Sequence, residues 1–221
     1  MRFLCVLFLT AVPAALAAIA TMKSVVFPRE TNTDRVELAP LQPLNLRAFT
    51  LCMRVATELT GQREVILFAY RTQYYDELNL WREAGGRLSL YLSSSEVVAF
   101  NVPQLGALET HLCVTWDSST GATALFMDGR KSLTKIYRQG HSVRSGGKVV
   151  IGQDFDSYEG DFDASQSFVG EMSDVNLWDS VLSESTIQDL SSGKATSVGN
   201  VLDWGKEFKA SVGVVILNRE L

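Results

Sequence analysis

The chain has little of several residue types on which common functional sites depend. Its 221 residues include only three cysteines and two histidines. It contains no Asn-x-Ser/Thr triplet, P-loop, Gly-x-Ser-x-Gly elbow or His-Glu-x-x-His motif. His111 and His141 stand 30 residues apart, which does not fit the ligand spacing of a zinc site. The sequence therefore excludes standard N-glycosylation and the enzyme classes that those motifs define.

Basic residues are fewer than acidic residues. The chain carries 20 lysines and arginines against 25 aspartates and glutamates, for a net charge of −5. Because phosphate binding requires a basic surface, this balance argues against nucleic acid as a partner. An acidic chain is better suited to binding cations.

The first twenty residues contain the only long apolar run. It extends from Phe3 to Ala20 behind a basic Arg2, and Ala15-Leu16-Ala17 and Ala18-Ile19-Ala20 offer small residues at the spacing of a cleavage site. We predict a signal peptide over residues 1–17, with cleavage as late as residue 20, and one domain over 18–221. The alternative is a membrane anchor, since the run approaches the spanning length. The favoured interpretation is a secreted, extracellular protein without a membrane span.

Removal of the signal peptide would take Cys5 with it and leave Cys52 and Cys113. Two cysteines in an exported chain most often form a disulfide, although two buried free thiols are an alternative. Each cysteine lies within a segment that alternates polar and apolar residues, on the face opposite the large apolar side chains. Two neighbouring strands could therefore join these cysteines across one face.

Short alternating segments separated by turn residues continue along the chain. Besides the two cysteine-bearing strands, we predict strands at 64–70, 87–92, 96–102, 122–127, 148–151, 172–178 and 211–217. Asp128-Gly129 predicts a hairpin between 122–127 and 130–137. Ser183 is a good N-cap for one short helix that ends before Ser191. The fold class is therefore all-β, a two-sheet jelly-roll (lectin-like) sandwich with one short helix.

The segment from Asp154 to Gln166 carries five carboxylates within ten residues, directly after a predicted strand. Like charges so crowded are unfavourable unless a cation neutralises them, and calcium accepts six to eight oxygen ligands in flexible geometry. The alternative is a solvated acidic loop. The run does not match an EF-hand, because Tyr158 occupies the third ligand position and Gly160 falls one residue late.

Several segments of the sequence resemble those of a known family. The run from His111 to Ser118, His-Leu-Cys-Val-Thr-Trp-Asp-Ser, is similar to the pentraxin signature His-x-Cys-x-Ser/Thr-Trp-x-Ser/Thr. The cysteine separation, the acidic segment 152–167 and the segment 170–179 also resemble this family, in its C-reactive protein and serum amyloid P branch. The resemblance covers nearly all of the mature chain, and it implies a Cys52–Cys113 disulfide and a flat ring of five protomers.

The resemblance implies two calcium ions per protomer. The ligands carried over from the family are Asp154, the Phe155 carbonyl, Asp156, Asp163 and Gln166. The family adds two ligands from an earlier loop, which is shorter here, and its only candidates are Asp76 and Glu77.

The family also binds choline headgroups in a pocket beside the metal. Here Leu80 and Tyr91 replace an aromatic and a small pocket residue, whereas the carboxylate of Glu96 is retained. Tyr91 could fill the pocket or stack on a quaternary ammonium, and both Leu80 and Tyr91 could equally be ordinary strand residues.

The resemblance implies a pattern-recognition protein of innate humoral immunity, of the acute-phase type, and not an enzyme. It would bind phosphocholine-like or other anionic headgroups on microbial or damaged-cell surfaces, with the first component of complement as a possible partner. The alternative function is a calcium-dependent lectin that binds sugars or glycosaminoglycans. A glycosidase would need two carboxylates that face each other across a groove, and the acidic residues here crowd one loop instead.

Overall fold

The structure, a computed structural model, describes residues 21–220, so the predicted signal peptide lies outside the described residues. Two antiparallel sheets pack face to face, and one α-helix lies on the outside of one of them. This arrangement confirms the predicted all-β sandwich. Within the described residues, no helix is long and apolar enough to cross a membrane.

The first sheet, sheet A, contains eight strands. Their order is β10-β9-β8-β3-β13-β1-β15, and β11 also pairs with β9. The strands are β1 (Thr21–Phe27), β3 (Ala48–Ala56), β8 (Thr110–Asp117), β9 (Ala122–Met127), β10 (Arg130–Lys131), β11 (Lys135–Ile136), β13 (Gly170–Trp178) and β15 (Val215–Glu220).

The second sheet, sheet B, contains seven strands in the order β14-β2-β12-β4-β5-β6-β7. The strands are β2 (Val36–Leu38), β4 (Val65–Arg71), β5 (Asp76–Arg82), β6 (Leu88–Leu92), β7 (Val98–Phe100), β12 (Lys148–Ile151) and β14 (Phe208–Ala210).

The two cysteine-bearing strands are neighbours in sheet A. Phe49 of β3 and Trp116 of β8 face the core between the sheets, as do the other large apolar residues on that side of both strands. Cys52 lies directly opposite Cys113 in the register, and the two sulfurs form the predicted disulfide with an S–S distance of 2.02 Å. The alternation read from the sequence therefore placed both strands correctly.

The helix α1 (Glu184–Ser191) covers the outer face of sheet A. The Ser183 side chain accepts a hydrogen bond from the Thr186 amide, as expected of an N-cap residue. Ile187 and Leu190 pack on the disulfide together with Trp178 and other apolar side chains. The helix thus buries the face on which the cysteines lie and leaves the outer face of sheet B for the acidic segment.

Two predicted strands differ from those observed. The segment predicted over 96–102 forms strand only at Val98–Phe100. The strand predicted over 211–217 begins later and runs from Val215 to Glu220. Asp128 and Gly129 both have positive φ angles, of 49° and 72°, and they close the predicted hairpin, although the segment predicted over 130–137 is strand only at Arg130–Lys131 and Lys135–Ile136.

Candidate metal centre

The acidic segment leaves sheet B through a glycine. Gly152 follows β12 with φ of 88°, and a Cβ at this position would lie 2.2 Å from the ring of Phe27. Only glycine tolerates both the positive φ and the close approach of the Phe27 ring. The chain can therefore turn sharply out of the strand here. The turn carries the carboxylates that follow onto the outer face of the sheet.

Two aromatic side chains attach the acidic segment to that face. The Phe155 and Phe162 ring centroids are 5.4 Å apart. Both rings pack against a small cluster on the outer face formed by Ile66, Ala69 and Val150. Ala69 lies in register with Val150 on one side, and its small side chain leaves room for the rings. The segment is therefore held on the sheet by apolar contact.

Hydrogen bonds hold the second half of the segment. The Asp163 carboxylate accepts a hydrogen bond of 2.9 Å from the Ser165 amide and caps a 3-10 helix over Ala164–Gln166. The Arg63 guanidinium donates hydrogen bonds to the carbonyls of Ser165 and Ser167, at 2.6 Å and 2.7 Å. These contacts fold the chain back, so that Asp163 comes close enough to Asp156 to affect its ionisation.

The carboxylates of this segment disfavour one another. Asp154 is 8% exposed, and its burial, followed by the charges of Asp76 and Asp156, raises its pKa to about 7. Burial raises the pKa of Asp156 as well, with the charge of Asp163 as the next cause. The amide hydrogen bond from Ser165 lowers the pKa of the exposed Asp163. Such a concentration of negative charge is relieved by a cation.

Asp76 and Glu77 point to different environments, although they are adjacent in β5. The pairing of β4 with β5 shifts register here, since Tyr70 opposes Leu78 and Arg71 opposes Asp76. Glu77 is the extra residue of this bulge, which reverses the alternation of side chains. The structure therefore brings Asp76 to the acidic segment, whereas Glu77 turns elsewhere.

The Glu77 carboxylate is fully buried and already has partners. It accepts hydrogen bonds from Ser93 Oγ and the Arg144 amide, both at 3.0 Å, and from Arg144 Nη1 at 2.9 Å. The structure thus does not place Glu77 with the carboxylates of the acidic segment, and in its present conformation it holds Arg144.

Asn79, which the sequence analysis did not single out, contacts the acidic segment. Its side-chain Nδ2 donates a hydrogen bond of 2.9 Å to Asp154 Oδ1, and its Oδ1 accepts one of 3.2 Å from the Tyr70 amide. Asn79 is 2% exposed on the outer face of β5. A polar residue between Leu78 and Leu80 in an otherwise apolar strand was the signal that could have found it.

Two further oxygens point to a hard cation. The side-chain Oε1 of Gln166 is buried and has no hydrogen-bond partner among the described residues. The Phe155 carbonyl likewise accepts no hydrogen bond from the part of the chain that the structure describes. A buried amide oxygen without a partner is unfavourable, and a cation would satisfy it. Carboxylate, amide and carbonyl oxygens are the donors that calcium prefers, so the residues fit this ion.

A second group of potential ligands does not form a metal site. His111 lies close to Cys52 and Cys113, with its Nε2 at 3.8 Å from Cys113 Sγ. Both sulfurs are used by the disulfide and cannot act as thiolate ligands. Burial, followed by the charge of Arg54, lowers the pKa of His111 to about 4. His111 is therefore a neutral residue packed behind the disulfide.

The alternation of side chains along β5 decides which residues face the predicted headgroup pocket. Leu80 is 2% exposed and lies in the core between the sheets, so it faces away from the acidic segment. Its neighbour Trp81 lies on the outer face and packs against the cluster that holds Phe155. Trp81, and not the predicted Leu80, is therefore the residue of this pair that lies next to the acidic segment.

Tyr91 lies beside Asn79 on the outer face of sheet B, whereas Glu96 lies on the loop after β6. Tyr91 opposes Asn79 in the register, and its hydroxyl donates a hydrogen bond of 3.0 Å to Glu83 Oε1. Burial, followed by the charge of Glu83, raises the Tyr91 pKa to about 12. Glu96 is exposed on the loop after β6 and lines an open cavity of about 580 Å³ with Lys135 and Arg138, and this lining includes neither Leu80 nor Tyr91.

Comparison with known proteins agrees with the fold. The model of the Pentaxin family matches residues 23–218. C-reactive protein of Danio rerio is 53% identical over 204 residues, which cover 91% of each chain. Human serum amyloid P-component is 42% identical over 82% of this chain and 80% of its own. A crystal structure of the heptameric SAP-like pentraxin from Limulus polyphemus superposes with a TM-score of 0.76, at 25% identity, over 88% of this chain and 94% of that chain.

These features define a two-sheet jelly-roll domain of the lectin-like class. The chain belongs to the pentaxin (pentraxin) family, in the branch of C-reactive protein and serum amyloid P-component. Members of this branch are non-enzymatic recognition proteins, and the membership supports a pattern-recognition role in innate immunity.

Proposed function

We propose that this chain is a secreted, calcium-dependent recognition protein that binds phosphate-bearing headgroups, such as phosphocholine, on microbial or damaged-cell surfaces. One observation carries the proposal. The fold brings Asp76, Asp154, Asp156 and Asp163 close enough on the outer face of sheet B for their charges to interact, and Oε1 of Gln166 in the same segment has no hydrogen-bond partner among the described residues.

The proposed calcium ligands all belong to this face. They are Asp76, Asn79, Asp154, the Phe155 carbonyl, Asp156, Asp163 and Gln166. Asn79 takes the place predicted for Glu77, because the bulge turns Glu77 towards Arg144. Its side-chain amide would turn over on calcium binding, so that Oδ1, which accepts from the Tyr70 amide without metal, faces the ion. We propose two ions per protomer, with carboxylates shared between them, since each calcium ion accepts six to eight oxygens.

The neighbouring side chains would orient the ligand. Bound calcium would supply the positive charge that coordinates phosphate oxygens. Trp81 and Tyr91 flank the centre on adjacent strands. An aromatic ring attracts a quaternary ammonium with about 1 kcal/mol, so these residues would select choline-like groups over bare phosphate. The Tyr91 hydroxyl is held by Glu83, which also places a carboxylate on this side of the sheet.

Assembly into an oligomer would increase the avidity of a weak binding site. The Limulus pentraxin is a heptamer, and for this chain we propose a homo-oligomeric ring, with the pentamer as the expected size. Several identical sites in one ring gain avidity on a repetitive surface. The first component of complement is the effector partner that we propose for the assembled ring, in keeping with the kinship to C-reactive protein.

Retention on immobilised phosphocholine, phosphoethanolamine and polysaccharide tests the proposal. Asp156→Asn keeps the shape of the side chain but removes one charge from the centre. Asp161→Asn is the matched control, because Asp161 is exposed in the same loop and its φ of 57° suits asparagine. We expect the parent and Asp161→Asn to bind at millimolar calcium and to elute with chelator, whereas Asp156→Asn folds but is not retained.

Two outcomes would contradict the proposal. Retention that survives chelation would show that calcium does not mediate binding. Elution by simple sugars but not by free phosphocholine would indicate the calcium-dependent lectin instead. Equal retention of Asp156→Asn and the parent would remove Asp156 from the ligand set.

A further inference from the structure

An arginine lies within the carboxylate cluster. Arg71 ends β4 and stands opposite Asp76 in the register, on the far side of the short turn that joins β4 to β5. Its Nη1 donates a hydrogen bond to Asp76 Oδ1 and forms an ion pair with that carboxylate. Both side chains are mostly buried, with exposures of 18% for Arg71 and 26% for Asp76. The contact is therefore better shielded from water than an ordinary surface ion pair.

The influence of Arg71 extends beyond Asp76. Its positive charge acts on both Asp154 and Asp156, where it opposes the rise of the pKa that burial and the neighbouring carboxylates produce. Its Nε is buried and has no hydrogen-bond partner among the described residues. The guanidinium thus serves as a counter-charge for several carboxylates while one of its own donors stays unsatisfied.

Asp76 is otherwise held in place by the protein. Its amide donates a hydrogen bond of 3.0 Å to Ser94 Oγ, and its Oδ2 accepts one of 3.2 Å from the same hydroxyl. Arg71 occupies Oδ1, so both carboxylate oxygens are engaged. Each oxygen keeps a further lone pair, so an ion bound to Asp76 would share this carboxylate with Arg71, which carries the charge that opposes a cation most directly.

We propose that Arg71 is a tethered counter-ion that competes with calcium for Asp76 and thereby raises the calcium concentration at which the site fills. Without metal, the guanidinium neutralises part of the cluster and stabilises the loop. With metal, the ion would draw Asp76 away from Arg71 and weaken their contact, and the positive charge of Arg71 would remain close to the ion. Both effects lower calcium affinity, which makes occupancy sensitive to calcium over a higher range of concentration.

This inference rests on the proposed calcium site, and its test separates the two. Calcium affinity is measured by isothermal titration calorimetry on metal-free protein, for the parent and Arg71→Met, which keeps the length of the apolar stem. Arg130→Met is the matched control, because Arg130 is exposed on β10 of the opposite sheet and its loss changes the net charge equally. We expect Arg71→Met to bind calcium about tenfold more tightly and Arg130→Met to stay within about twofold of the parent.

Protease sensitivity of the metal-free protein tests the role of Arg71 independently of calcium binding. Without calcium, Arg71→Met should be cleaved within 154–166 faster than the parent, because the carboxylates lose their counter-charge. If Arg71→Met does not fold, Arg71→Gln keeps hydrogen-bond donors without charge and should shift affinity in the same direction.

Unchanged or weaker calcium binding in both folded variants overturns the role of Arg71 while leaving the calcium site standing. A parent protein that binds no calcium overturns the site and this inference together. A tenfold gain that disappears in an Asp76→Asn background would confirm that the competition acts through Asp76.

Discussion

Asp154→Asn should make the metal-free protein more stable at neutral pH, although it removes a proposed ligand. In the folded chain Asp154 is buried beside other carboxylates, and its pKa is raised from 3.8 to about 7. Asparagine has nearly the same shape and carries no charge. The substitution therefore removes an unfavourable buried charge in the absence of metal, and with it the affinity for calcium.

The sign and size of this change in the free energy of unfolding follow from proton linkage. Below pH 4 the carboxyl is protonated in both the folded and the unfolded chain, so it causes no penalty. As the pH rises to 7, the unfolded chain loses this proton first, and the folded state becomes less stable. A shift from 3.8 to about 7 corresponds to about 4 kcal/mol, at 1.36 kcal/mol for each pKa unit. Most of this loss should disappear in Asp154→Asn.

Guanidinium unfolding followed by tryptophan fluorescence measures this effect in metal-free buffer from pH 4 to pH 8. We expect the parent to lose stability across this range and Asp154→Asn to lose much less, with Asp161→Asn as the control that follows the parent. Saturating calcium should restore the parent at pH 8 but not Asp154→Asn. If Asp154→Asn is less stable than the parent at pH 8 without metal, the argument from the buried charge is wrong.

Two further outcomes are expected. Trp81→Ala should weaken retention on phosphocholine by about fivefold, for a loss of about 1 kcal/mol, and leave calcium affinity unchanged in calorimetry, whereas unchanged retention or a change in calcium affinity would contradict its role as a contact to the headgroup alone. Light scattering of the secreted protein in calcium should report a mass of several protomers, near five, and a monomer would refute the proposed ring.

Local pattern was sufficient for much of the fold. The alternation around Cys52 and Cys113 identified two strands and the face that each presents, because the side-chain period of a strand is two. The disulfide followed once these strands proved to be neighbours. Ser183 likewise marked the start of the helix, since an N-cap satisfies backbone amides through a contact three residues away.

The placement of Asp76 and Glu77 depends on an irregularity of the sheet. A bulge adds one residue to β5 and reverses the alternation, so Glu77 joins Arg144 while Asp76 faces the acidic segment. The positions of Trp81 outside and Leu80 in the core follow instead from the ordinary alternation of β5. A bulge depends on how two strands pair, and this pairing leaves no mark in the local sequence.

The sequence by itself determined the fold class, the family and the acidic segment, because these depend on residue types at short and regular spacings. Only the tertiary structure decided which oxygens meet. Asp154 and Asn79 are 75 residues apart along the chain and are joined by one hydrogen bond. Arg71 enters the carboxylate cluster for the same reason, since β4 lies between β12 and β5 in the sheet. Contacts across neighbouring strands are set by sheet order and register, which the packing of the whole chain determines.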